Sequence, residues 1–361
     1  MEMGHLPILG YKTYIQLTPK RGTCNKCNDK PVTTTQTLNW YDRKARQTKP
    51  YEQHLLFELV NSTVADVSRK EEIDPHTIDK IIDKHVEKDV DFTLIFFLGV
   101  LGIDEISLRK GRQQYVTVIT YRHNGEVKLL KVLNGRKRKT VEDFLNSIPE
   151  RLKITVSAVC SDLYDGFINA AKEVFGNRVV TADRFHVAKL YRKKLITIRK
   201  SELKRLKKLL TTKEYKALKP AIAILTKGRD YFTDEEKEIL QPLFIHSPKL
   251  QLAYIYSHRL TTTFNSKITK EQAEEAFKQW IADVTSSKLK CFKTFISTLD
   301  KYMDEITNYF LDRNTSGFVE GFNNKLKVLT RRSYGLSSIT RFFQRVKIDT
   351  EGLQMFNFAG A

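Results

Sequence analysis

The sequence is poor in acidic residues, in cysteine and in long apolar runs, and each shortage excludes a class of protein. Its 361 residues include only 42 Asp and Glu against 62 Lys and Arg, a formal net charge of +20. Four cysteines are too few for a disulfide-stapled secreted domain, and no apolar run reaches the length of a membrane span. Residues 1–5 lack the basic and apolar regions of a signal peptide. We therefore expect a cytoplasmic protein with no membrane partner.

The basic surplus predicts an acidic partner, and neutralising a phosphate backbone is its plainest use. The surplus is also local, since residues 189–219 carry thirteen basic side chains and two acids. We expect DNA phosphates to be contacted there by Lys193 and Lys194, and in a second cluster by Arg136, Lys137, Arg138 and Lys139. For residues 189–219, a solvated face that only keeps the protein soluble is the alternative.

Cysteines 24 and 27 give residues 1–48 a partial likeness to a zinc ribbon. Cys24 and Cys27 have the spacing of one zinc knuckle, but a structural zinc site needs four ligands. His5 is the only other candidate ligand nearby. Two interpretations stay open: Cys24 and Cys27 bind zinc, or this pair of cysteines binds no metal.

Residues 49–90 have the helical spacing of apolar side chains that predicts three short helices. Asp74 followed by Pro75 is a favourable N-cap and first residue for the last of these helices. The arrangement matches a helix-turn-helix, whose final helix enters the major groove of DNA. Thr77, Lys80 and Lys84 are the side chains expected to face the groove. A small helical packing module is the alternative.

Residues 91–187 change to the pattern of an α/β domain. Strands are predicted at 98–106, 115–121, 127–133, 154–160 and 178–181, with a hairpin turn at 122–125. Helices are predicted to start at Thr140, whose spacing to Asp143 suits a capping box, and to cover 164–174. The order β-β-β-α-β-α-β describes three antiparallel strands extended by two parallel ones, which is the ribonuclease-H-like arrangement.

Residues 188–312 are predicted to be a mostly helical insertion into this core, with a capping box formed by Thr269 and Gln272. Residues 313–361 are expected to return to the core as its final helix. That helix carries Glu320, Asn323, Asn324 and Lys327 at spacings of three, four and seven, so these side chains share one face, and Asn324 and Lys327 are expected to contact DNA.

Three carboxylates are expected to meet at one site. Asp104 lies within the first predicted strand, Asp162 follows the fourth, and these two strands are neighbours in the ribonuclease-H-like order. Ligands gather at the carboxyl ends of such strands. Acidic oxygens converging in a basic protein are the hard ligands that Mg²⁺ and Mn²⁺ prefer. The pattern predicts a divalent metal bound by Asp104, Asp162 and Glu320 next to nucleic acid.

Several of these segments resemble bacterial insertion-sequence transposases of the ISL-three family, which carry an Asp-Asp-Glu triad. The matching text includes Gly102-Ile-Asp-Glu, Val159-Cys-Ser-Asp-Leu-Tyr, Ala182-Asp-Arg-Phe-His-Val and Gly317-Phe-Val-Glu-Gly-Phe-Asn-Asn-Lys, in family order over roughly residues 5 to 345. The resemblance implies Asp104, Asp162 and Glu320 as catalytic metal ligands. His186 falls in an Asp-x-x-His element of related groups, so a supporting catalytic role is expected for it. The family also has a CxxC upstream of the pair equivalent to Cys24 and Cys27.

The function implied is DNA cleavage and strand transfer by a two-metal mechanism. The partners would be the element's terminal inverted repeats and target DNA, with a homo-oligomer assembled on DNA in the bacterial nucleoid. Two alternatives remain. A non-catalytic helix-turn-helix regulator leaves the acids unused, and a ribonuclease-H-like nuclease without strand transfer does not require the insertion or the N-terminal module.

Overall fold

The computed structural model describes residues 1–24, 32–107, 115–226, 232–333 and 338–356, so Cys27 lies outside the described residues. The chain forms two compact units. The first takes in residues 1–91 and the residues from Asn324 onward, and the second takes in residues 92–106 and 115–323. The division falls within residues 313–361, whose place in the core stays a prediction.

The N-terminal unit begins with two antiparallel strand pairs and continues with three helices. The pairs join β1 to β2 and β3 to β4. The elements are β1 (Glu2–Ile8), β2 (Tyr11–Gln16), β3 (Arg21–Cys24), β4 (Val32–Thr35), α1 (Lys49–Glu58), α2 (Val64–Glu71) and α3 (Pro75–His85). As predicted, α3 starts at Pro75, and the Asp74 carboxylate accepts hydrogen bonds from the backbone N–H groups of residues 76 and 77.

The core unit contains one five-stranded mixed sheet in the order β7-β6-β5-β8-β9. Its strands are β5 (Gly99–Ser107), β6 (Tyr115–His123), β7 (Glu126–Asn134), β8 (Val156–Ser161) and β9 (Val180–Ala182). β6 and β7 pair antiparallel across a turn in which Asn124 and Gly125 both have positive φ, while β8 lies parallel to both β5 and β9. The predicted mixed α/β class is confirmed.

The helices of the core unit connect these strands and then form the insertion. They are α4 (Arg138–Ser147), α5 (Glu150–Lys153), α6 (Asp165–Phe175), α7 (Arg184–Leu209), α8 (Thr212–Ala217), α9 (Lys219–Thr226), α10 (Asp234–His246), α11 (Pro248–Asn265), α12 (Lys270–Ser286), α13 (Lys293–Lys301), α14 (Met303–Thr307) and α15 (Tyr309–Asp312). The capping box of Thr269 and Gln272 is present, as predicted. The one predicted at Thr140 was wrong, because α4 starts at Arg138 and Thr140 lies inside its first turn.

Two further helices complete the described residues: α16 (Gly317–Arg332) and α17 (Ile339–Met355). Among the helices of the described residues, none combines the length and apolar character needed to cross a membrane.

Helix α17 is part of the N-terminal unit's core. Its Ile348 lies in one buried cluster with Leu55 of α1 and Ile78 of α3. The buried Arg345 guanidinium donates hydrogen bonds to the carbonyls of residues 59 and 62, at 3.1 and 2.8 Å, and to the Asp349 carboxylate at 3.2 Å. The three N-terminal helices are therefore packed on a helix more than 250 residues later in the chain.

The first turn of α16 lies against β5 at a glycine. A Cβ added to Gly102 would lie 2.1 Å from a methyl carbon of Val319, 2.9 Å from Thr120 Oγ1 and 3.0 Å from the Phe318 ring. Such separations are far below van der Waals contact, so only glycine lets the helix approach this strand. Gly102 thereby determines how close α16 comes to the sheet.

We expect Gly102→Ala to destabilise the protein by about 1–3 kcal/mol, because the added methyl forces the first turn of α16 away from β5. Gly321→Ala is the matched control. Gly321 is on the exposed face of α16 with nothing within 4 Å of an added Cβ, so its substitution should stabilise by about 0.5–1 kcal/mol. Urea denaturation of both variants measures the difference. Equal effects of the two substitutions would show that Gly102 is not a contact point.

Candidate metal centre and DNA-binding surfaces

Three aspartates occupy equivalent positions on three neighbouring parallel strands. Ile103 of β5 pairs with Ser161 of β8, which in turn pairs with Ala182 of β9. The next residue in each case is an aspartate: Asp104, Asp162 and Asp183. Because side chains alternate along strands, equal register places the three carboxylates on the same side of the sheet. Asp104 lies within β5 and Asp162 directly after β8, and a metal site shared by these two carboxylates stays a prediction.

Asp104 carries an unfavourable negative charge. Burial, and then the nearby Asp162 carboxylate, raise the pKa of Asp104 to about 6. Two hydrogen bonds act in the opposite direction, from the Glu105 backbone N–H at 2.7 Å and from Asn323 Nδ2 at 2.6 Å. The positive charge of His186 also lowers this pKa but offsets the shift only in part, and hard oxygen donors with excess negative charge fit a divalent metal.

His186 bridges two of the aspartates. Its Nδ1 lies 2.9 Å from Asp162 Oδ1 and 2.8 Å from Asp183 Oδ2. Hydrogen bonds to Asp162 and then to Asp183 raise the pKa of His186 from 6.5 to about 10, so the imidazolium is the favoured form at neutral pH. Asp183 also caps α7 by accepting a hydrogen bond from the Phe185 N–H.

The N-terminal part of α16 is tied to this row at two points. The Ser316 N–H, just before the helix, donates to Asp183 Oδ1 at 3.4 Å, and Asn323 donates to Asp104. Asn323 is buried, and its Oδ1 makes no hydrogen bond within the described residues. The predicted ligand Glu320 lies one turn before Asn323 and is exposed. Sequence reasoning had placed Asn323 on the polar stripe of this helix without assigning it a contact.

The closest group of metal-ligating side chains differs from the expected one. Among the described residues, the ligand atoms that all approach within 4.8 Å of one another are those of Asp162, Asp183 and His186. This group includes neither Asp104 nor Glu320. Asp183 was missed as a member because the Asp-x-x-His element pointed only to His186. The register with Asp104 and Asp162 was the signal that could have identified it.

Arg136 is held by one carboxylate and two aromatic rings. Its Nη1 lies 3.2 and 3.1 Å from the two Glu105 carboxylate oxygens, and its guanidinium carbon lies 5.3 Å from the ring centres of both Tyr115 and Tyr164. The Glu105 carboxylate raises the pKa of Arg136. Contacts on three sides fix this guanidinium, which keeps its positive charge and can bind a phosphate.

The other residues expected to contact DNA differ in exposure and in the partners of their side chains. Lys137 precedes α4, and Arg138 and Lys139 pair with Glu142 and Asp143 at 3.3 and 2.9 Å. In the insertion, Lys193 is exposed and Lys194 is half-buried on α7. Asn324 and Lys327 are exposed on α16, where Lys327 Nζ lies 3.5 Å from Asn324 Oδ1.

The three residues expected to face the major groove separate into two groups. Lys80 is exposed and Thr77 is half-buried on α3. Lys84 instead forms ion pairs with Asp42 at 2.5 Å and with the buried Glu52 at 2.6 Å. A lysine that neutralises a buried carboxylate stabilises the unit, so the structure does not support a groove-facing role for Lys84.

The possible zinc ligands are only partly described. Cys24 ends β3 and is exposed. Cys27 lies outside the described residues. His5 Nδ1 is hydrogen-bonded to Thr48 Oγ1 at 2.8 Å, so its ring already has a partner within the N-terminal unit.

Two family models match the chain. One, described as a transposase, covers residues 101–346, and the other, described as the helix-turn-helix domain of transposase family ISL3, covers residues 36–86. The first spans Asp104, Asp162, His186 and Glu320. The second confirms the helix-turn-helix predicted for residues 49–90.

Individual proteins give similar matches. The transposase for insertion sequence element IS1001 of Bordetella parapertussis is 24% identical over 347 residues, covering 95% of this chain and 82% of that protein. The transposase for insertion sequence element IS1557 of Mycobacterium tuberculosis is 22% identical over 258 residues, covering 66% of this chain and 57% of that protein. Among solved structures, the Drosophila P element transposase strand transfer complex matches with a TM-score of 0.42 and 12% identity, covering 84% of this chain and 92% of that one.

The bridging histidine predicts a pH-dependent contribution to the stability of the metal-free protein. A pKa raised from 6.5 to about 10 means that the folded state binds this proton more tightly than the unfolded chain does. The stabilisation is therefore fully present below about pH 6.5 and is lost as the pH rises towards 10. We expect His186→Gln to cost more unfolding free energy at pH 6 than at pH 10, measured by urea denaturation with chelator present.

Asp162→Asn supplies the control, because Asp162 is the largest cause of the raised pKa of His186. In the Asp162→Asn background, the cost of His186→Gln should depend less on pH. A cost that is the same at both pH values in the wild-type background would contradict the bridging arrangement.

Proposed function

This chain belongs to the ISL3 family of transposases, and we propose that it cleaves the ends of an insertion sequence and transfers them to target DNA. The observation that carries the proposal is the register-matched row formed by Asp104, within β5, and by Asp162 and Asp183, just beyond the ends of β8 and β9. We further propose that the core is ribonuclease-H-like, which the strand order β7-β6-β5-β8-β9 supports.

The family implies divalent metal use, and the acidic row supplies suitable donors. Asp104, Asp162 and Glu320 would hold two ions of Mg²⁺ or Mn²⁺, which would lower the pKa of an attacking water or 3′-hydroxyl and stabilise charge on the leaving oxygen. The raised pKa of Asp104 supports this assignment, since it reflects negative charge that a cation would offset.

The protein's own side chains act by orienting these donors. Asn323 donates to Asp104 and His186 to Asp162, and these contacts restrict the rotamers of the two carboxylates. Second-partner hydrogen bonds of this kind orient metal ligands and typically influence rate. Arg136, fixed by Glu105 and two tyrosine rings, would bind a phosphate beside the one that reacts.

The N-terminal unit would recognise the terminal inverted repeats of the element. We propose that α3 enters the major groove with Thr77 and Lys80 towards the bases, while Lys84 supports the unit through Glu52. The basic residues of the core unit would bind the DNA backbone without regard to sequence. We also propose that strand transfer takes place in a homo-oligomer on DNA, in the bacterial nucleoid.

A nuclease that cleaves without joining is the second candidate, because it would use the same acidic row. A strand-transfer assay with a pre-cleaved 3′-hydroxyl end separates the two functions. Joined products support transposition, and cleavage without joining supports the nuclease.

We expect Asp104→Asn to reduce DNA cleavage at least about a hundredfold, because the substitution keeps the shape of the side chain and removes the charge that holds metal. Asp165→Asn is the matched control. Asp165 lies three residues beyond Asp162, but its carboxylate is already engaged by Lys301 and Tyr302 at 2.6 and 2.7 Å. The control should cleave at close to the wild-type rate. Wild-type turnover by Asp104→Asn would remove Asp104 from the site, and DNA affinity should persist in both variants.

The salt dependence of DNA affinity tests whether lysine side chains of α7 contact DNA phosphates. If Lys193 and Lys194 contact phosphates, the slope of log K against log salt should flatten by about 0.9 for each lysine replaced by alanine. Lys278→Ala on α12 is the control, since Lys278 pairs with Glu274 at 2.6 Å and is not proposed to meet DNA. An unchanged slope for the double variant Lys193→Ala, Lys194→Ala would show that these charges only solvate the helix.

A further inference from the structure

The helical insertion contains a cavity that the proposed catalytic site does not use. It has a volume of about 620 Å³ and lies among α7, α9, α10 and α11. This volume falls within the range of about 300–1,000 Å³ that is common for sites of small ligands. The cavity is therefore large enough for a ligand with both a ring system and a charged group.

The inner wall of the cavity is apolar and aromatic. Tyr254 lies at the centre of the aromatic part, with the Phe232 ring 5.8 Å and the Phe244 ring 6.1 Å from its own ring centre. The Tyr254 hydroxyl donates to the Leu225 carbonyl at 3.3 Å, which restrains the ring. Restrained aromatic rings facing a cavity provide a surface on which a flat ring can stack.

The charged residues of the lining are all cationic. They are Arg192, Arg199, Lys237 and Arg259, and among the described residues no Asp or Glu lines the cavity. Arg259 pairs with Asp283, outside the lining, at 2.7 Å. Arg199 donates to the Leu225 carbonyl, a neutral acceptor that leaves its positive charge in place. An apolar wall with cations around it matches a ligand that combines a flat ring with an anionic group, as a nucleotide does.

The cavity lies close to the proposed catalytic site along a single helix. Arg192 is six residues after His186 on α7, which is a rise of about 9 Å along the helix axis at 1.5 Å per residue. DNA bound at the aspartate row would therefore have nucleotides within a few steps of the cavity. A paired base cannot enter a concave site, whereas an unpaired base turned out of the stack can.

We propose that this cavity binds one unpaired nucleotide of the DNA substrate, with its base against Tyr254 and its phosphates against the arginines. The identity of the ligand rests on the proposed function, because it assumes that the chain acts on DNA. Holding one nucleotide out of the stack would fix the position of the strand relative to the aspartate row.

The test uses the full chain, with chelator present so that no cleavage occurs. Two duplexes of the same sequence are compared by fluorescence anisotropy, one fully paired and one with a single extrahelical 2-aminopurine. We expect the wild type to bind the second about tenfold more tightly, a difference of about 1.4 kcal/mol. Stacking on the aromatic wall should also quench the 2-aminopurine fluorescence.

A matched pair of variants assigns this preference to the cavity. Ile255 is 48% exposed and lines the cavity, whereas Ile239 of α10 is 44% exposed and does not. Both sites tolerate a polar side chain on grounds of exposure, so both variants should fold. Ile255→Glu places a carboxylate where the phosphate would bind and should abolish the preference and the quenching, while Ile239→Glu should retain both.

Three results would overturn the proposal: no preference in the wild type, a preference retained by Ile255→Glu, or a change of oligomeric state in Ile255→Glu alone. The last result, seen by sedimentation, would identify the cavity as a surface between protein copies. Cleavage with Mg²⁺ is measured in parallel. If the protein cleaves DNA but shows no preference for the unpaired nucleotide, only the proposed role of the cavity is rejected. If it shows the preference but does not cleave, only the proposed function is rejected.

Discussion

The candidate site depends on the register of three parallel strands. Ile103, Ser161 and Ala182 are aligned across the sheet by backbone hydrogen bonds, and this alignment brings the three following aspartates to one side. A shift of one residue in either pairing would turn a carboxylate to the opposite face. This same group of strands is extended by the hairpin of β6 and β7 and connected by the crossover helices. It is also packed against α16 at Gly102. The chemistry available to the chain thus follows from its backbone pairing.

Like charges brought together this way would repel, and the neighbouring side chains show how the repulsion is reduced. His186 sits as an imidazolium between Asp162 and Asp183, while Asp104 depends on Asn323 and a backbone N–H. The resulting pKa of about 6 for Asp104 indicates that these hydrogen bonds compensate only in part. His186 therefore stabilises the negative charges of Asp162 and Asp183, whereas the negative charge of Asp104 remains unfavourable.

Local signals in the sequence predicted local structure well. Asp74 and Thr269 each start a helix through a side-chain hydrogen bond to a nearby backbone N–H, as predicted, whereas the cap predicted at Thr140 did not form. Apolar alternation and the hairpin turn predicted the strands within a few residues. The element order, together with the usual handedness of crossovers, was then enough to predict the sheet.

Long-range contacts were beyond reach of the same reasoning. Lys84 has the spacing of a groove-facing residue, and only the folded unit brings Asp42 and Glu52 to it. Nothing in the sequence around Arg345 predicts that its guanidinium is buried against the carbonyls of residues 59 and 62. On α16, Glu320 and Asn323 lie on one polar stripe, and the packing at Gly102 decides which of them reaches Asp104.

The dependence of the helix-turn-helix on α17 has a consequence for synthesis on the ribosome. The cluster around Leu55 and Ile78 lacks Ile348 and Phe356 until residues 339–356 have been translated and have left the exit tunnel. A nascent chain therefore carries its first three helices with part of their apolar surface uncovered. The module matures last although it is made first, so an incomplete chain released early would expose this surface to chaperones and proteases instead of to DNA.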